Sequence, residues 1–507
     1  MIFNIIYPLL FSFIPIFTFF SSNIKEVDKK SVLYIFLLDL LVFFGLWYFL
    51  RLITGFQDNI ISGIIFYITI WFYTPWYKIN RFKSRYAHQY IIKYIIYGLI
   101  TCAIIFFDFM PLVLTIVFSI IIFLNIIYII SNSSKISDKF IKEEIIDIHT
   151  DDINKPDIYH IILDGYLGKE ALFDLTQFNN SEFYDKLKNL GFHVYNNIYS
   201  NYNFTAYSIP SVFNMDYFDN YMQQNELNSK MYQQDKLQYG FLRSIKSKLV
   251  LSLKKAGYKI IIRGETIFTD EVQSLCDTLV DVQSNQSRMI AANTTIATFL
   301  KITIISSFFM INKKANKDHA EYILRAFNDL EKSIDSGTSA PTYCLNHILA
   351  PHPPFCFKSD GSINEKYSNM VEYPAYDADG LNAYKNNMLY INKLTVDAVS
   401  KLIAGIKEKQ RKAVILIHGD HGLLTNTPDK PSYNTMLAVF KYKFDDDIKI
   451  FKDNMTLVNI MPYLINYIFK TNLPIHSNKF YFMDMTDNDY INSDVTDIIS
   501  KFIQQDN

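Results

Sequence analysis

Five apolar runs crowd the first 130 residues of this 507-residue chain: Ile2–Phe20, Val32–Leu50, Ile60–Trp76, Tyr90–Phe107 and Pro111–Ile130. A run of roughly 20 apolar residues suffices to cross a bilayer. Runs this long, with so few charges, have no comparable surface to pack against in a water-soluble core. A bundle of about five transmembrane helices is therefore expected over residues 1–130. Asp108 and Pro111 interrupt the last long stretch, which argues for two helices joined by a tight turn. Ile2–Phe20 has neither a basic leader nor a small-residue cleavage site, so it reads as a retained anchor and not as a signal peptide.

Beyond residue 130 the composition changes. Residues 131–155 are polar and charged with little periodicity, and read as a linker that is helical in part over 137–146. Strand-like and helix-like patterns then alternate. Ser181–Gly191 reads as a helix with Ser at its start and Gly at its end. Phe241–Ala256 reads as an amphipathic helix stopped by Gly257 and followed by a strand, Tyr258–Ile262. Asp318–Ile334 and Asp379–Ile406 are further helices, the second carrying Leu389, Leu394, Ala398 and Leu402 at near-helical spacing. Such alternation implies an α/β fold with a mostly parallel sheet covered by helices on both faces. One large domain is expected over 156–490, followed by a polar C-terminal tail, 491–507. Thr294–Met310, with Lys301 as its single charge, is open to two readings: a buried helix or a segment lying against the bilayer.

A net charge of −1 leaves no electrostatic footprint for nucleic acid, and no glycine-rich phosphate loop occurs. Cys102 falls in a proposed span, so Cys276, Cys344 and Cys356 allow at most one disulfide in the soluble part.

Three segments carry chemistry. In Val414–Gly422 four apolar residues lead into His-Gly-Asp-His-Gly, a buried strand delivering Asp420 and His421 at its end. A carboxylate beside an imidazole suits a divalent metal such as zinc or manganese, and the flanking glycines suggest a sharp turn with room for a ligand. Asp157–Gly165 repeats the plan and ends on Asp164, at the strand end where open α/β sheets hold ligands. In Ser200–Ser211 a polar loop leads into a helix opened by Thr205. That hydroxyl is either a helix cap or a nucleophile aimed at an anionic group held by the helix end and a metal. His347 and His352 lie in "NHILAPHPPF". His352, in the loop, is open to phosphate binding, to protonating a leaving alkoxide, to joining a second metal or to a structural role. His347 and His418 sit in strand patterns, where a structural role is the default. Asn203 is either a phosphoryl donor or a turn former.

Asp164, Thr205, Asp420 and His421, in that order, resemble the alkaline phosphatase superfamily, and in particular its membrane-bound sulfatase-like branch of phosphoglycerol and phosphoethanolamine transferases. The resemblance spans roughly residues 155–485 and is carried by "PDIYHIILDGY", "SNYNFTAYSIPSVFNMDY", "HILAPHPPFCF", "YINKLTVDAVSKLI" and "ILIHGDHG". It implies an alkaline-phosphatase-like fold, a metal site of Asp164, Thr205, Asp420 and His421, Thr205 as nucleophile, and a double displacement through phosphothreonine. His352 would assist catalysis, and His347 and Asn203 would bind substrate. Sulfatases proper carry Cys/Ser-x-Pro-x-Arg around a formylglycine, whereas this chain has Thr-Ala-Tyr-Ser-Ile, which favours phosphoryl over sulfate transfer. One divalent ion, zinc or manganese, is expected; a second, drawing on His347, His352 and Asp379, stays open.

The function so implied is transfer of a phosphoryl-alcohol group from a membrane phospholipid donor to a surface glycan acceptor. A tethered phosphodiesterase or phosphatase, or a sulfatase-like hydrolase, is the first alternative; a non-catalytic polysaccharide-assembly protein is the second. The resemblance puts the protein in a bacterial inner membrane with its catalytic domain on the outer face. The basic loops argue the other way. Lys25, Lys29 and Lys30, and then Lys78, Arg81, Lys83 and Arg85, share a side with that domain if there are five spans.

Overall fold

The apolar N-terminal runs form helices α1 (Ile2–Ser22), α2 (Lys29–Thr54), α3 (Asp58–Phe72) and α4 (Met110–Ser133). The structure is a computed structural model. It describes residues 2–22, 29–72, 99, 101, 107, 109–133, 145–148, 155–217, 247–264, 276–281, 312–334, 340–367, 377–423, 427–447, 449–484 and 491–505. These residues fall into two compact units, the first within Met1–Phe140 and the second within Ile141–Ser284 and Asn312–Asn507.

Three of the expected spans are long and apolar enough to cross a bilayer: Phe3–Ser21, Val32–Thr54 and Met110–Ile130. The third expected run is helical over its described part, in which Ile60–Ile70 is the apolar stretch; residues 73–76 of that run lie outside the described residues. The fourth, Tyr90–Phe107, lies outside the described residues except at 99, 101 and 107. Three of the five expected spans are thus found among the described residues. Leu37, Leu41, Leu52, Ile120 and Phe123 are each more than half exposed, a surface that lipid covers and water does not tolerate. Polar groups within the helices pair across them: Ser12 Oγ donates to Asp39 Oδ2 (2.7 Å) and Ser21 Oγ to Asn125 Oδ1 (2.9 Å).

The second unit is built on strands β1 (Asp157–Leu163), β2 (His193–Tyr199), β3 (Lys259–Gly264), β4 (Thr278–Asp281), β5 (Thr342–Ile348), β6 (Ala413–Gly419) and β7 (Asn434–Tyr442), ordered β2-β7-β6-β1-β5-β3-β4. Its pairings are parallel except those of β7, which runs against both neighbours. β1 and β6 are buried throughout, so their apolar runs do not alternate with polar residues. Instead alternate residues feed two cores. Tyr159, Ile161, Leu163, Ile415 and Ile417 pack with α9 (Asn312–Asn328) and α10 (Ala378–Lys409) through Ile323, Phe327, Met388, Ile391 and Val399. Ile158, Ile162, Val414 and Leu416 pack with α7 (Thr205–Asn214), α8 (Lys248–Lys255) and α12 (Ile460–Phe469) through Phe213, Leu253 and Leu464. Two short helices, α5 (Lys169–Thr176) and α6 (Ser181–Asn189), follow β1, and α11 (Lys430–Tyr433) precedes β7.

Several boundaries differ from the sequence reading. The described part of the Phe241–Ala256 segment becomes helical only at Lys248, where Ser247 Oγ caps it by accepting from Val250 N–H (3.2 Å). The helix expected from Asp318 begins at Asn312 and ends at Asn328, and Glu331–Ile334 is a separate 3-10 turn. Most of 137–146 lies outside the described residues, as does Thr294–Met310. Ile146, within the expected linker, is buried in the second core, and its N–H donates to Ser252 Oγ (2.7 Å). Residues 491–505 fold as β9 (Ile491–Asp494), paired with β8 (Tyr481–Asp484), and as α13 (Thr496–Gln505). Val495 and Ile499 are buried against Tyr199, Tyr433 and Phe480, which is why this segment does not behave as a polar tail.

Opposite the strand ends that carry Asp164 and Asp420, one ion pair ties the sheet. Arg411 grips the buried Asp157 through Nε (2.6 Å) and Nη2 (2.7 Å), and Nη2 also donates to Ala340 O (2.9 Å). Asp157 in turn accepts from Thr342 N–H (2.8 Å), so the starts of β1, β5 and β6 share one polar knot. Arg411→Met would leave a buried carboxylate without its cation, a loss of about 2–3 kcal/mol. The expected outcome is a lower unfolding midpoint by calorimetry, with metal binding unchanged.

Candidate metal and nucleophile site

Parallel strands bring the marked residues together because β1, β5 and β6 end on the same side of the sheet. Asp164 follows β1, His347 lies near the end of β5, and Asp420 and His421 follow β6. All four are buried. Thr205 is the first residue of α7. The cap position belongs to Phe204, and no side chain caps the helix. The Thr205 hydroxyl instead lies 3.0 Å from His421 Nε2 and 3.4 Å from Asp164 Oδ2, which removes the helix-cap reading of this residue.

Backbone contacts fix the site's tautomers. His421 Nδ1 lies 2.7 Å from Gly422 O, and a carbonyl only accepts, so Nδ1 carries the proton and Nε2 presents its lone pair. His352 follows the same rule, donating from Nδ1 to Pro353 O (2.6 Å), while its backbone N–H donates to Asp164 O (2.9 Å). His347 Nε2 is 3.0 Å from Asp164 Oδ2, so the fold brings this strand histidine up to the cluster. Asp420 Oδ1 accepts from the N–H of Gly165 (3.0 Å) and of His421 (2.9 Å). Gly165 takes a positive φ of 68° to make this turn. Gly422 serves a different purpose from the expected sharp turn: a Cβ there would run into Pro431 O, so its missing side chain admits neighbouring backbone and not a ligand.

After these contacts, Asp164 Oδ1 and Asp420 Oδ2 remain buried with no hydrogen-bond partner. Burial raises the pKa of both carboxyls. At Asp164 the imidazoles of His352, His347 and His421 outweigh burial and hold it below the ordinary carboxylate value. At Asp420 burial prevails, reinforced by the charge of Asp164, and the pKa stays raised. Two close carboxylates with orphaned oxygens are costly without a cation. Asp164, Asp420 and His421 offer ligand atoms within 4.8 Å of one another. His421 Nε2 lies 3.4 Å from Asp420 Oδ2, 3.9 Å from Asp164 Oδ1 and 3.0 Å from Thr205 Oγ1. Tetrahedral zinc with ligands near 2.0 Å places them roughly 3.3 Å apart, so these residues fit one divalent ion.

Asp379 is not part of the cluster. It is exposed on α10 and paired with Lys366 at 2.9 Å, which removes it from the ligands considered for a second ion. Asn203 is buried two residues before Thr205. His418 is structural, as expected: its Nδ1–H donates to Gly419 O (2.9 Å), leaving Nε2 to accept from His160 Nε2–H (2.7 Å), while His160 Nδ1 accepts from Tyr343 Oη (2.8 Å). Sequence reading missed His319. It is buried on α9 with Nε2 unpartnered, its ring 5.5 Å from Tyr322, whose hydroxyl lies 3.4 Å from His347 O and Leu349 N. It also missed Ser208, whose hydroxyl donates to Asp420 O from one turn into α7. A histidine or serine on the inward face of an amphipathic helix is the signal that would have found them.

The family model described as Sulfatase matches residues 149–450. The chain belongs to this family. No curated protein matches the sequence. Similar solved structures include the C-terminal periplasmic domain of EcEptC from Escherichia coli (14% identity, TM-score 0.42, 70% of this chain and 97% of that one). Others are the integral membrane phosphoethanolamine transferase EptA from Neisseria meningitidis (12%, 0.39, 91% and 95%) and the lipoteichoic acid synthase LtaP from Listeria monocytogenes (16%, 0.38, 67% and 81%).

Two outcomes are expected. Asp420→Asn, which keeps the shape but removes the charge beside the orphaned oxygen, should weaken zinc binding at least about 100-fold by titration calorimetry. Burial holds His418 down to about 4 and His160 well below its ordinary 6.5. The unfolded chain therefore takes these protons first, and the pair's contribution is complete above about pH 6.5 and lost as pH falls towards 4. Unfolding midpoints at pH 7 and 5 should show a larger acid loss for the wild type than for His160→Gln.

Proposed function

We propose that this protein is a metal-dependent transferase that moves a phosphoryl-alcohol group, phosphoglycerol or phosphoethanolamine, from a membrane phospholipid to a cell-surface glycan. The observation that carries this reading is the Thr205 hydroxyl: it caps no helix and sits against His421 and Asp164, beside two unpartnered carboxylate oxygens. Asp164, Thr205, Asp420 and His421 would hold one zinc or manganese ion. Bound there, the ion lowers the hydroxyl's pKa and offsets charge on the phosphoryl oxygens.

Thr205 Oγ, its proton given up to solvent, attacks phosphorus, the Oγ–P bond forms, and the bond from phosphorus to the diacylglycerol oxygen breaks. His352, its Nδ1–H committed to Pro353 O, directs Nε2 as the acid that protonates the departing alkoxide. The N-terminus of α7 and His347 stabilise the phosphorylated threonine, and Asn203 donates to its oxygens. In the second half a glycan hydroxyl attacks phosphorus, gives its proton to His352, and releases Thr205. Membrane-crossing helices support a lipid donor, since an enzyme acting on soluble esters needs no such anchor. The same donor supports an outward-facing catalytic unit on a bacterial cytoplasmic membrane, where glycan acceptors lie.

Metal-loaded full-length protein, incubated with head-group-labelled phosphatidylglycerol or phosphatidylethanolamine and trapped in acid, should yield an adduct on the Thr205 peptide by mass spectrometry. The adduct mass identifies the transferred group, and Thr205→Ala should abolish both adduct and turnover. Head-group release at an undiminished rate without a glycan acceptor would mark a hydrolase. Near-normal turnover by Thr205→Ala would overturn the nucleophile.

A further inference from the structure

Helix α10 lies away from the reacting atoms, yet one of its hydroxyls holds the turn on which both carboxylates depend. Tyr384 is fully buried. Its Oη donates to Gly165 O and accepts from Leu167 N–H, each at 2.9 Å. One hydroxyl thus closes both ends of the segment that follows Asp164. From within that segment Gly165 N–H donates to Asp420 Oδ1 (3.0 Å), so it carries one carboxylate covalently and grips the other. Gly165 also packs against His352, where an added Cβ would stand 3.4 Å from His352 Cα.

The turn is held from other sides as well. Tyr166 Oη donates to Asn392 Oδ1 (2.6 Å) and accepts from Asn180 Nδ2 (3.0 Å), while Asn392 Nδ2 donates to Asn180 Oδ1 (2.8 Å), a closed and buried ring. From β7, Thr435 Oγ1 donates to Tyr166 O (2.9 Å). Further along α10, Asn387 Oδ1 accepts from Phe357 N–H (3.0 Å), tying the same helix to the loop that contains His352. Burying an asparagine in a helix face otherwise filled by Met388, Ile391 and Val399 is costly unless each polar atom is used, and here each is.

We infer that Tyr384 is a positioning residue for the Asp164–Asp420 carboxylate pair, setting metal affinity through the Gly165–Leu167 turn without touching the metal. This rests on the metal-site reading above. Groups that orient ligands from behind typically change metal affinity about 10- to 100-fold when removed. Zinc titration of the full-length protein, with cobalt substitution read by visible absorption, tests the role. Tyr384→Phe, which keeps the ring, should bind zinc about 10-fold more weakly and shift the cobalt spectrum. Thr435→Val, which loosens the same turn from β7, should weaken zinc in the same direction. Leu402→Ala, a core truncation on the same helix, should lower the unfolding midpoint and leave zinc affinity within about twofold. Wild-type affinity and an unchanged cobalt spectrum in both Tyr384→Phe and Thr435→Val would overturn the positioning role while leaving the metal site standing. Absence of zinc binding in the wild type would remove the metal-site reading itself, and this inference with it.

Discussion

The site depends on two carboxylates forced into one buried place. Asp164 and Asp420 each leave an oxygen without a partner after every available N–H is used. Water is excluded, so the usual relief by solvation is missing, and the two charges repel at short range. The pKa directions record the strain: histidines draw Asp164 down, and burial together with Asp164 pushes Asp420 up. A divalent cation held by Asp164, Asp420 and His421 would relieve this, and the Thr205 hydroxyl lies 3.4 Å from Asp164 Oδ2, beside that cluster.

Much of the surrounding architecture keeps that arrangement in place against its own repulsion. The sheet supplies direction, because three parallel strands end side by side. The Arg411–Asp157 pair fixes the opposite ends of those strands, and the His160–His418 contact ties β1 to β6 just beneath the ligands. Both devices hydrogen-bond buried polar groups, Asp157 in one and His160 and His418 in the other, which makes them rigid where a purely apolar core would permit sliding. Glycine at 422 then lets backbone approach backbone where any side chain would intrude, and glycine at 165 supplies the positive φ of its turn.

The membrane unit gives this chemistry a setting. Its helices expose apolar surface and pair polar side chains with each other, and three of them are long and apolar enough to cross a bilayer. That unit contains its own core on both faces of the sheet.

Sequence alone determined the class of fold and the ligand-bearing motifs. Apolar runs ending in Asp-Gly or Gly-Asp-His are readable because a buried strand must be apolar and its polar end must lie at the edge. Membrane helices were legible by length and apolarity, and three described helices, Phe3–Ser21, Val32–Thr54 and Met110–Ile130, bear out that reading. Only tertiary structure decided whether Thr205 capped its helix or faced the ligands, because both readings share one local sequence. It alone brought His347 up to the cluster and excluded Asp379, since spacing along the chain carries no information about which strand ends adjoin. The polar 491–505 segment folds because Val495 and Ile499 find a partner surface formed by Tyr199, Tyr433 and Phe480, residues far away in sequence. Tyr384 is the clearest case. Its position in a helix predicts burial, but its role comes from two backbone atoms more than 200 residues earlier that the fold alone brings to its hydroxyl.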